Sequence, residues 1–158
     1  MPVVRTSLKR LTELTGVKDV DILVNTLFNL KCETEIGDNE TIAVEVQSDR
    51  VDMFSVEGIA YAIKLYLGIE KPKSYKISRK LKVNVLPPTK RPYIAVAAVI
   101  GVELHEDALK ELIEFQERLH TTYGRNRRKV AIGLHDMDKL PKGEIVYRDV
   151  DVDETLMV

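Results

Sequence analysis

The sequence lacks several features that would assign it to a class at once. Cys32 is its one cysteine and tryptophan is absent. An internal disulfide is therefore excluded, and a reducing, cytoplasmic setting is expected. No apolar run approaches the roughly 18 to 20 residues of a membrane-spanning helix, and the first residues do not form the apolar core of a signal peptide. We therefore expect a cytoplasmic protein that does not contact a membrane.

Neither sign of charge dominates the chain. It has 24 Lys and Arg against 25 Asp and Glu, which gives a net charge of −1. This balance excludes the polycationic class of nucleic-acid binders, so any RNA contact must come from a local patch of positive charge. A length of 158 residues fits one ordinary domain or two small ones.

Patterns of catalytic and metal-binding residues are also missing. His105, His120 and His135 are far apart in the sequence, and a single cysteine adds no ligand spacing; a zinc site is therefore not predicted. No Ser-His-Asp arrangement, phosphate-binding loop or dinucleotide motif is present. We predict neither a metal site nor a catalytic residue in this chain.

Four elements are predicted in the first part of the chain. They are a helix over residues 8–14 capped by Thr6 or Ser7 and ended by Gly16, a helix starting at Asp19 or Asp21, a hairpin of residues 32–36 and 41–47, and a helix that follows Ser55 and stops at Gly68. Side-chain oxygens at the helix starts and glycines at their ends support these bounds. Ile42, Val44 and Val46 alternate along the second hairpin strand and should share its buried face.

The second part of the chain differs from the first in composition. Residues 64–91 contain nine Lys or Arg and one acid, Glu70. We interpret this basic segment as a solvated face in preference to a surface that binds RNA, with an exposed strand near residues 81–85.

Prolines 87, 88 and 92 predict a stiff junction between two parts of the chain. Beyond it, residues 94–102 and 129–134 read as buried strands around a helix over residues 106–123. Residues 145–152 are expected to add a strand. Strand, helix and strand predict a right-handed crossover.

A basic cluster follows the predicted end of that helix. Arg125, Arg127, Arg128 and Lys129 place four positive charges in five residues. Cations there complement the helix dipole, but phosphate binding explains the number of charges equally well, and both interpretations stay open. His135 and Asp136 close the strand predicted next, where α/β sheets place ligand-facing residues; a hydrogen-bonded turn is favoured there over a metal site.

A polar loop before the third helix is interpreted as structural. Arg50 should pair with Asp49, Asp52 or a backbone carbonyl, while Asp52 or Ser55 caps the helix. Glu57 and Gly58 open that helix. The glycine indicates that another element approaches closely.

These motifs resemble those of the β subunit of phenylalanyl-tRNA synthetase. Residues 47–60, QSDRVDMFSVEGIA, resemble its signature NPDRPDLLSxEGxA, with Ser48 and Val51 departing from the pattern. Residues 124–138, GRNRRKVAIGLHDMD, resemble the archaeal and eukaryotic GRxRxxVAIGxHDxD. Shorter matches are KCE at 31–33, RPYIA at 91–95 and FQERLH at 115–120.

The resemblance implies an α+β fold with two parts. Residues 1–86 would form a winged-helix-like module of helices with a β-hairpin, and residues 87–158 would begin a βαβ-containing tRNA-editing domain that is truncated here. In the family, the complete α2β2 enzyme uses ATP and magnesium in its α subunit, and its editing domain hydrolyses Tyr-tRNA(Phe). The α subunit and tRNA(Phe) are the implied partners, without DNA. The implied contacts to tRNA or the editing pocket are Arg125, Arg127, Arg128, Lys129, His135 and Asp136.

Three functions are then open. The chain is expected to be the N-terminal segment of that β subunit, supporting aminoacylation and proofreading without being catalytic alone. The alternative is a free-standing, non-catalytic module that binds RNA or protein. An independent hydrolase of mischarged tRNA is the least favoured, because no catalytic residue can be carried over from the family.

Overall fold

The computed structural model describes residues 1–86, 91–140, 143–151 and 153–154. The chain forms two compact units. The first contains Met1–Ser74 and Leu104–Gly133, and the second contains Tyr75–Glu103 and Leu134–Val158. Residues 87–90, where prolines predicted a stiff junction, lie outside the described residues. The expected division of this chain into a module of residues 1–86 and an editing-domain part of residues 87–158 stays a prediction.

The first unit holds most of the regular structure. Its elements are β1 Val3–Ser7, α1 Leu8–Thr15, α2 Val20–Asn29, β2 Glu33–Ile36, β3 Thr41–Glu45, a single 3₁₀ turn Val51–Met53, α3 Val56–Tyr66 and α4 Glu106–Thr121. The three-stranded sheet has the order β1-β3-β2 and is antiparallel throughout. The α+β class is therefore confirmed.

Local capping explains where the helices begin. Ser7 accepts a hydrogen bond from the Arg10 N–H, Asp19 accepts from the second residue of α2, and Ser55 accepts from Gly58. Each cap satisfies a backbone donor that has no partner within the helix. Gly16 ends α1 with φ at 75°, a left-handed conformation that glycine adopts at little cost.

The core lies between the central strand and the helices. Ile42, Val44 and Val46 have no exposed surface, so the predicted buried face of β3 is confirmed. Helices α2 and α3 contribute Leu23, Leu27, Val56, Ile59 and Ile63 to the same cluster. Strand β1 was not predicted, and it pairs with β3 so that Val4 lies opposite Val44. The hairpin thereby gains a third strand.

Helix α4 packs on this core, although it is far away in the sequence. Phe115 and Leu119 are partly buried against the core cluster. The Arg118 guanidinium donates a 3.0 Å hydrogen bond to the carbonyl of Phe54. The buried strands predicted on either side of α4 are wrong, because residues 94–102 and 129–134 have irregular backbone and mostly exposed side chains. An apolar run becomes a strand only where a neighbouring strand satisfies its backbone groups.

The second unit contains a two-stranded parallel sheet of β4 Val83–Val85 and β5 Ile145–Tyr147. Strand β4 confirms the strand expected near residues 81–85, although Val83 and Asn84 are half-buried, and β5 confirms part of the one expected over 145–152. The Asn84 amide donates to Glu144 at 2.6 Å, and the Tyr147 hydroxyl donates to the carbonyl of Arg91 at 2.8 Å. Within the described part of the chain, no helix is long and apolar enough to cross a membrane.

Candidate nucleic-acid interface

The chain leaves α4 through an unusual turn. Arg125, Asn126 and Arg127 have φ values of 48°, 55° and 62°, which is a left-handed conformation in three consecutive residues that are not glycine. The cost is roughly 1–2 kcal/mol per residue, and asparagine tolerates the conformation best. Residues 124–129 are called the basic loop below. Other contacts must hold its backbone in this conformation.

Backbone hydrogen bonds supply part of that support. Gly124 donates to the carbonyl of Leu119 at 2.8 Å, Arg127 donates to that of His120 at 3.2 Å, and Lys129 donates to that of Gly124 at 2.9 Å. Gly124 is buried, and a Cβ there would lie 2.6 Å from the carbonyl oxygen of Val130. Only glycine fits this position without moving the backbone.

His120 gives further support to the conformation of the basic loop. Its side chain is buried, with 2% of its surface exposed. Its Nε2 accepts a hydrogen bond of 2.7 Å from the backbone N–H of Ile132, and its Nδ1 lies 3.2 Å from Glu117 Oε1. The Gln116 amide donates to the carbonyl of Ile132 at 2.6 Å. This role of His120 was not predicted from the sequence, where His120 was considered only as a metal ligand. The spacing of Glu117 and His120, three residues apart on a helix, was the available signal.

The four cations of the basic loop have different surroundings. Arg127 pairs with Glu117, and hydrogen bonds from His120 and then from Arg127 hold the pKa of Glu117 below its usual value. Arg125, Arg128 and Lys129 are exposed, and no acid lies within ion-pair distance of them among the described residues. Three positive charges therefore face solvent from a compact turn. A helix end does not require that many.

His135 and Asp136 belong to the second compact unit, whereas the basic loop belongs to the first. Both residues are exposed. Asp136 accepts a 3.0 Å hydrogen bond from the Asp138 N–H, and its carboxylate lies 3.6 Å from Lys139 Nζ. The carboxylate of Asp136 therefore stabilises a local turn. The structure does not place these two residues in the same unit as the basic cluster.

The polar loop before α3 is held by its own side chains. Arg50 binds both carboxylate oxygens of Asp52, at 3.0 and 2.8 Å, and lowers the pKa of that carboxyl. Ser55 caps α3, and Asp49 is exposed. A Cβ at Gly58 would lie 1.9 Å from the carbonyl oxygen of Asp52. The predicted Arg50 pair, the serine cap and the close approach at Gly58 are all present.

Glu57 extends this loop's contacts to two other helices. Arg10 lies 3.4 Å from Glu57 and 3.2 Å from Glu111. The hydrogen bond with Glu57, followed by burial, raises the pKa of Glu111, and Arg10 acts in the opposite direction. Three helices, α1, α3 and α4, therefore meet at one shared arginine.

Two further observations concern possible ligands. In the part of the chain that the structure describes, no group of three or more His, Cys, Asp or Glu is placed to hold a metal ion. An open depression of about 690 Å³ lies beside the end of α4; it is lined by residues 1–3, Ser48, Arg118 and residues 121–123. Arg118 is already engaged by Glu114 and Phe54.

Known proteins are similar to this chain in sequence and in fold. No family model matches the chain. The phenylalanine–tRNA ligase beta subunit of Aeropyrum pernix is 45% identical over 157 residues, or 97% of this chain, and that of Pyrobaculum aerophilum is 40% identical over 98% of it. The chain belongs to the family of phenylalanine–tRNA ligase beta subunits. The family's enzymes are aminoacyl-tRNA ligases, and the curated relatives carry that name.

A solved structure locates the match within the family's subunit. It is the crystal structure of an N-terminal fragment of the phenylalanyl-tRNA synthetase beta subunit from Pyrococcus horikoshii, with a TM-score of 0.79 and 32% identity over 97% of this chain. The chain spans 47% of that fragment and 28% and 30% of the two curated relatives. It therefore corresponds to an N-terminal segment of the family's subunit.

Proposed function

We propose that the chain acts as the N-terminal segment of a phenylalanine–tRNA ligase β subunit within an α2β2 enzyme. There it supports phenylalanyl-tRNA aminoacylation and the proofreading of mischarged Tyr-tRNA(Phe). The observation that carries the proposal is 45% identity across 97% of the chain. ATP and magnesium are bound outside this segment, and the chain by itself neither activates phenylalanine nor deacylates Tyr-tRNA.

The segment's own contribution is a contact with the tRNA backbone. Arg125, Arg128 and Lys129 are exposed on the basic loop, and guanidinium and ammonium groups are the usual partners of phosphate oxygens. Because the chain's net charge is only −1, attraction to RNA is local and the affinity is modest. Such contacts orient the tRNA and do not read its sequence.

A chimera tests the role in the whole enzyme. This chain would replace the matching segment of the Aeropyrum pernix β subunit, which would be produced together with its α subunit. We expect the chimera to assemble, to aminoacylate tRNA(Phe) and to hydrolyse Tyr-tRNA(Phe). A chimera that folds but does not associate with the α subunit would contradict the proposal. It would favour the free-standing RNA- or protein-binding module, for which the exposed basic loop is the supporting feature.

Salt dependence tests the tRNA contact separately. Three contacted phosphates predict that log affinity for a tRNA(Phe) transcript falls with log salt with a slope of about −2 to −3. Arg128→Gln should reduce that slope by about 0.7 to 0.9. Arg5→Gln is the matched control, since Arg5 is exposed on β1 and the charge change is the same. Equal effects of both substitutions would show that the basic loop makes no specific contact.

A further inference from the structure

The exposed cations of the basic loop are carried by a backbone that is unfavourable by itself. Residues 125–127 are all left-handed, so an unsupported loop would sample other conformations. Its cations would then have to be ordered at the moment of binding, and that ordering weakens affinity. The contacts that hold the backbone of the loop therefore also affect its affinity for phosphate groups.

Two side chains of α4 hold Ile132, three residues past the end of the basic loop. The Ile132 N–H donates to His120 Nε2 at 2.7 Å, and the Ile132 carbonyl accepts from Gln116 at 2.6 Å. Both backbone groups of one residue are thus held by the same helix. Since α4 itself packs on the core through Phe115 and Leu119, this anchor ties the chain that leaves the loop to the core of the first unit.

The hydrogen bonds also determine the protonation of the imidazole. Nε2 accepts from a backbone N–H, so it carries no proton, and the ring proton must be on Nδ1. Nδ1–H then donates to Glu117 Oε1 at 3.2 Å. Glu117 also pairs with Arg127 of the loop. One neutral histidine therefore connects the helix, the loop's arginine and the segment beyond it.

We infer that His120 is a positioning residue for phosphate binding by the basic loop. It holds the loop through its Nε2 acceptor and through Glu117, so that Arg125, Arg128 and Lys129 present their charges in a fixed arrangement. Arg127 braces the loop by pairing with Glu117. This inference rests on the proposed tRNA contact and names the residue that makes the contact possible.

Two substitutions of His120 separate the acceptor from the volume of the ring. His120→Gln places an amide oxygen where Nε2 lies and restores an acceptor for the Ile132 N–H. His120→Phe keeps a ring of similar size without any acceptor. A hydrogen bond worth about 1 kcal/mol predicts that affinity for a tRNA(Phe) transcript falls about fivefold in the phenylalanine variant. The glutamine variant should bind within about twofold of the wild type.

Two readouts on the 158-residue chain do not depend on RNA. Nitrogen-15 spectra of the imidazole should show a proton on Nδ1 and a bare Nε2, and a proton on Nε2 would overturn the inference without any variant. Amide exchange at Ile132 should be slow in the wild type and the glutamine variant and fast in the phenylalanine variant. Fast exchange in the wild type would likewise overturn it.

The outcomes distinguish this inference from the function on which it rests. If the wild type does not bind the transcript, the proposed tRNA contact fails, while the tautomer and the Ile132 exchange still report whether His120 holds the loop. If the wild type binds and both variants bind equally well, the positioning role is overturned although the tRNA contact stands. Loss of binding in the phenylalanine variant, with rescue by glutamine, supports both.

Discussion

At the scale of single residues, glycines carry the tightest constraints. Gly58 and Gly124 are each in direct contact with backbone, where a Cβ would lie 1.9 Å and 2.6 Å from a carbonyl oxygen. A carbonyl in a folded backbone cannot move aside as the end of a side chain can. These two positions therefore explain why glycine stands in the two motifs that first indicated the family.

Gly58→Ala should destabilise the first unit by about 2–4 kcal/mol, because the start of α3 and the Asp52 carbonyl must separate. Urea unfolding followed by circular dichroism measures the change. Gly143→Ala is the control, since a Cβ at Gly143 meets no atom within 4 Å, and it should cost less than about 0.5 kcal/mol. Equal stability of the two variants would mean that the contact at Gly58 relaxes without cost.

Glu111 makes stability depend on pH. Folding raises its pKa, so the folded chain holds the proton more tightly than the unfolded chain does. The resulting stabilisation is fully present below the unfolded pKa of about 4.3 and is lost as the pH rises through the folded pKa. Glutamine at position 111 keeps a hydrogen-bond donor toward Glu57 at every pH, so Glu111→Gln should lose less unfolding free energy between pH 4.5 and 7.

Urea titrations at several pH values measure this difference. Glu106→Gln is the matched control on the same helix, because Glu106 is largely exposed and, among the described residues, forms its ion pair with Lys110 of its own helix. The control should follow the wild-type pH dependence. If the unfolding free energies of the wild type and Glu111→Gln changed in parallel with pH, the interaction between Glu57 and Glu111 would not contribute to the stability of the protein.

At the scale of elements, α4 has two functions in the first unit. One face covers the core through Phe115 and Leu119. Its last turn holds the basic loop through Glu117 and His120. A helix that is long, capped and amphipathic forms from local signals, but its packing partner is set by the rest of the chain.

Phe115→Ala should therefore weaken the docking of α4. Because Phe115 is only partly buried, the cost should be about 1–3 kcal/mol, below the 3–5 kcal/mol of a fully buried phenylalanine. Hydrogen exchange along α4 should accelerate in the same variant. Ile113→Ala on the same helix is the control, since Ile113 is 46% exposed. A similar loss in both variants would contradict the packing described here.

At the scale of the whole molecule, the first unit is built from two segments separated in sequence, Met1–Ser74 and Leu104–Gly133. The intervening residues 75–103 contain one short strand and exposed apolar side chains in their described part. Proteases should cut there first, because exposed irregular backbone is the easiest to open locally.

A chain cut between residues 75 and 103 should stay together. Limited proteolysis is expected to give two bands on a denaturing gel but one species on gel filtration, since α4 remains packed on the core. A Phe115→Ala, Leu119→Ala double variant should separate into its fragments after the same treatment. Dissociation of the cut wild-type chain would show that α4 is not an integral part of the first unit.

The sequence by itself determined the features that depend on neighbouring residues. Ser7, Asp19 and Ser55 each cap the helix that follows, by accepting a hydrogen bond from a backbone N–H no more than three residues away. The alternation of Ile42, Val44 and Val46 likewise predicted the buried face of β3. The family was also recognisable, because each of its motifs is a short run of consecutive residues. These signals are local, so no knowledge of the fold was needed.

Only the tertiary structure decided which segments meet. The apolar run at residues 94–102 was predicted to be a strand and is irregular, while Val3–Ser7 became a strand because β3 lies beside it. His120 gained its role from an amide twelve residues away. Strand pairing and buried hydrogen bonds join groups that come together only when the whole chain folds. The spacing of residues in the sequence does not show which distant groups these are.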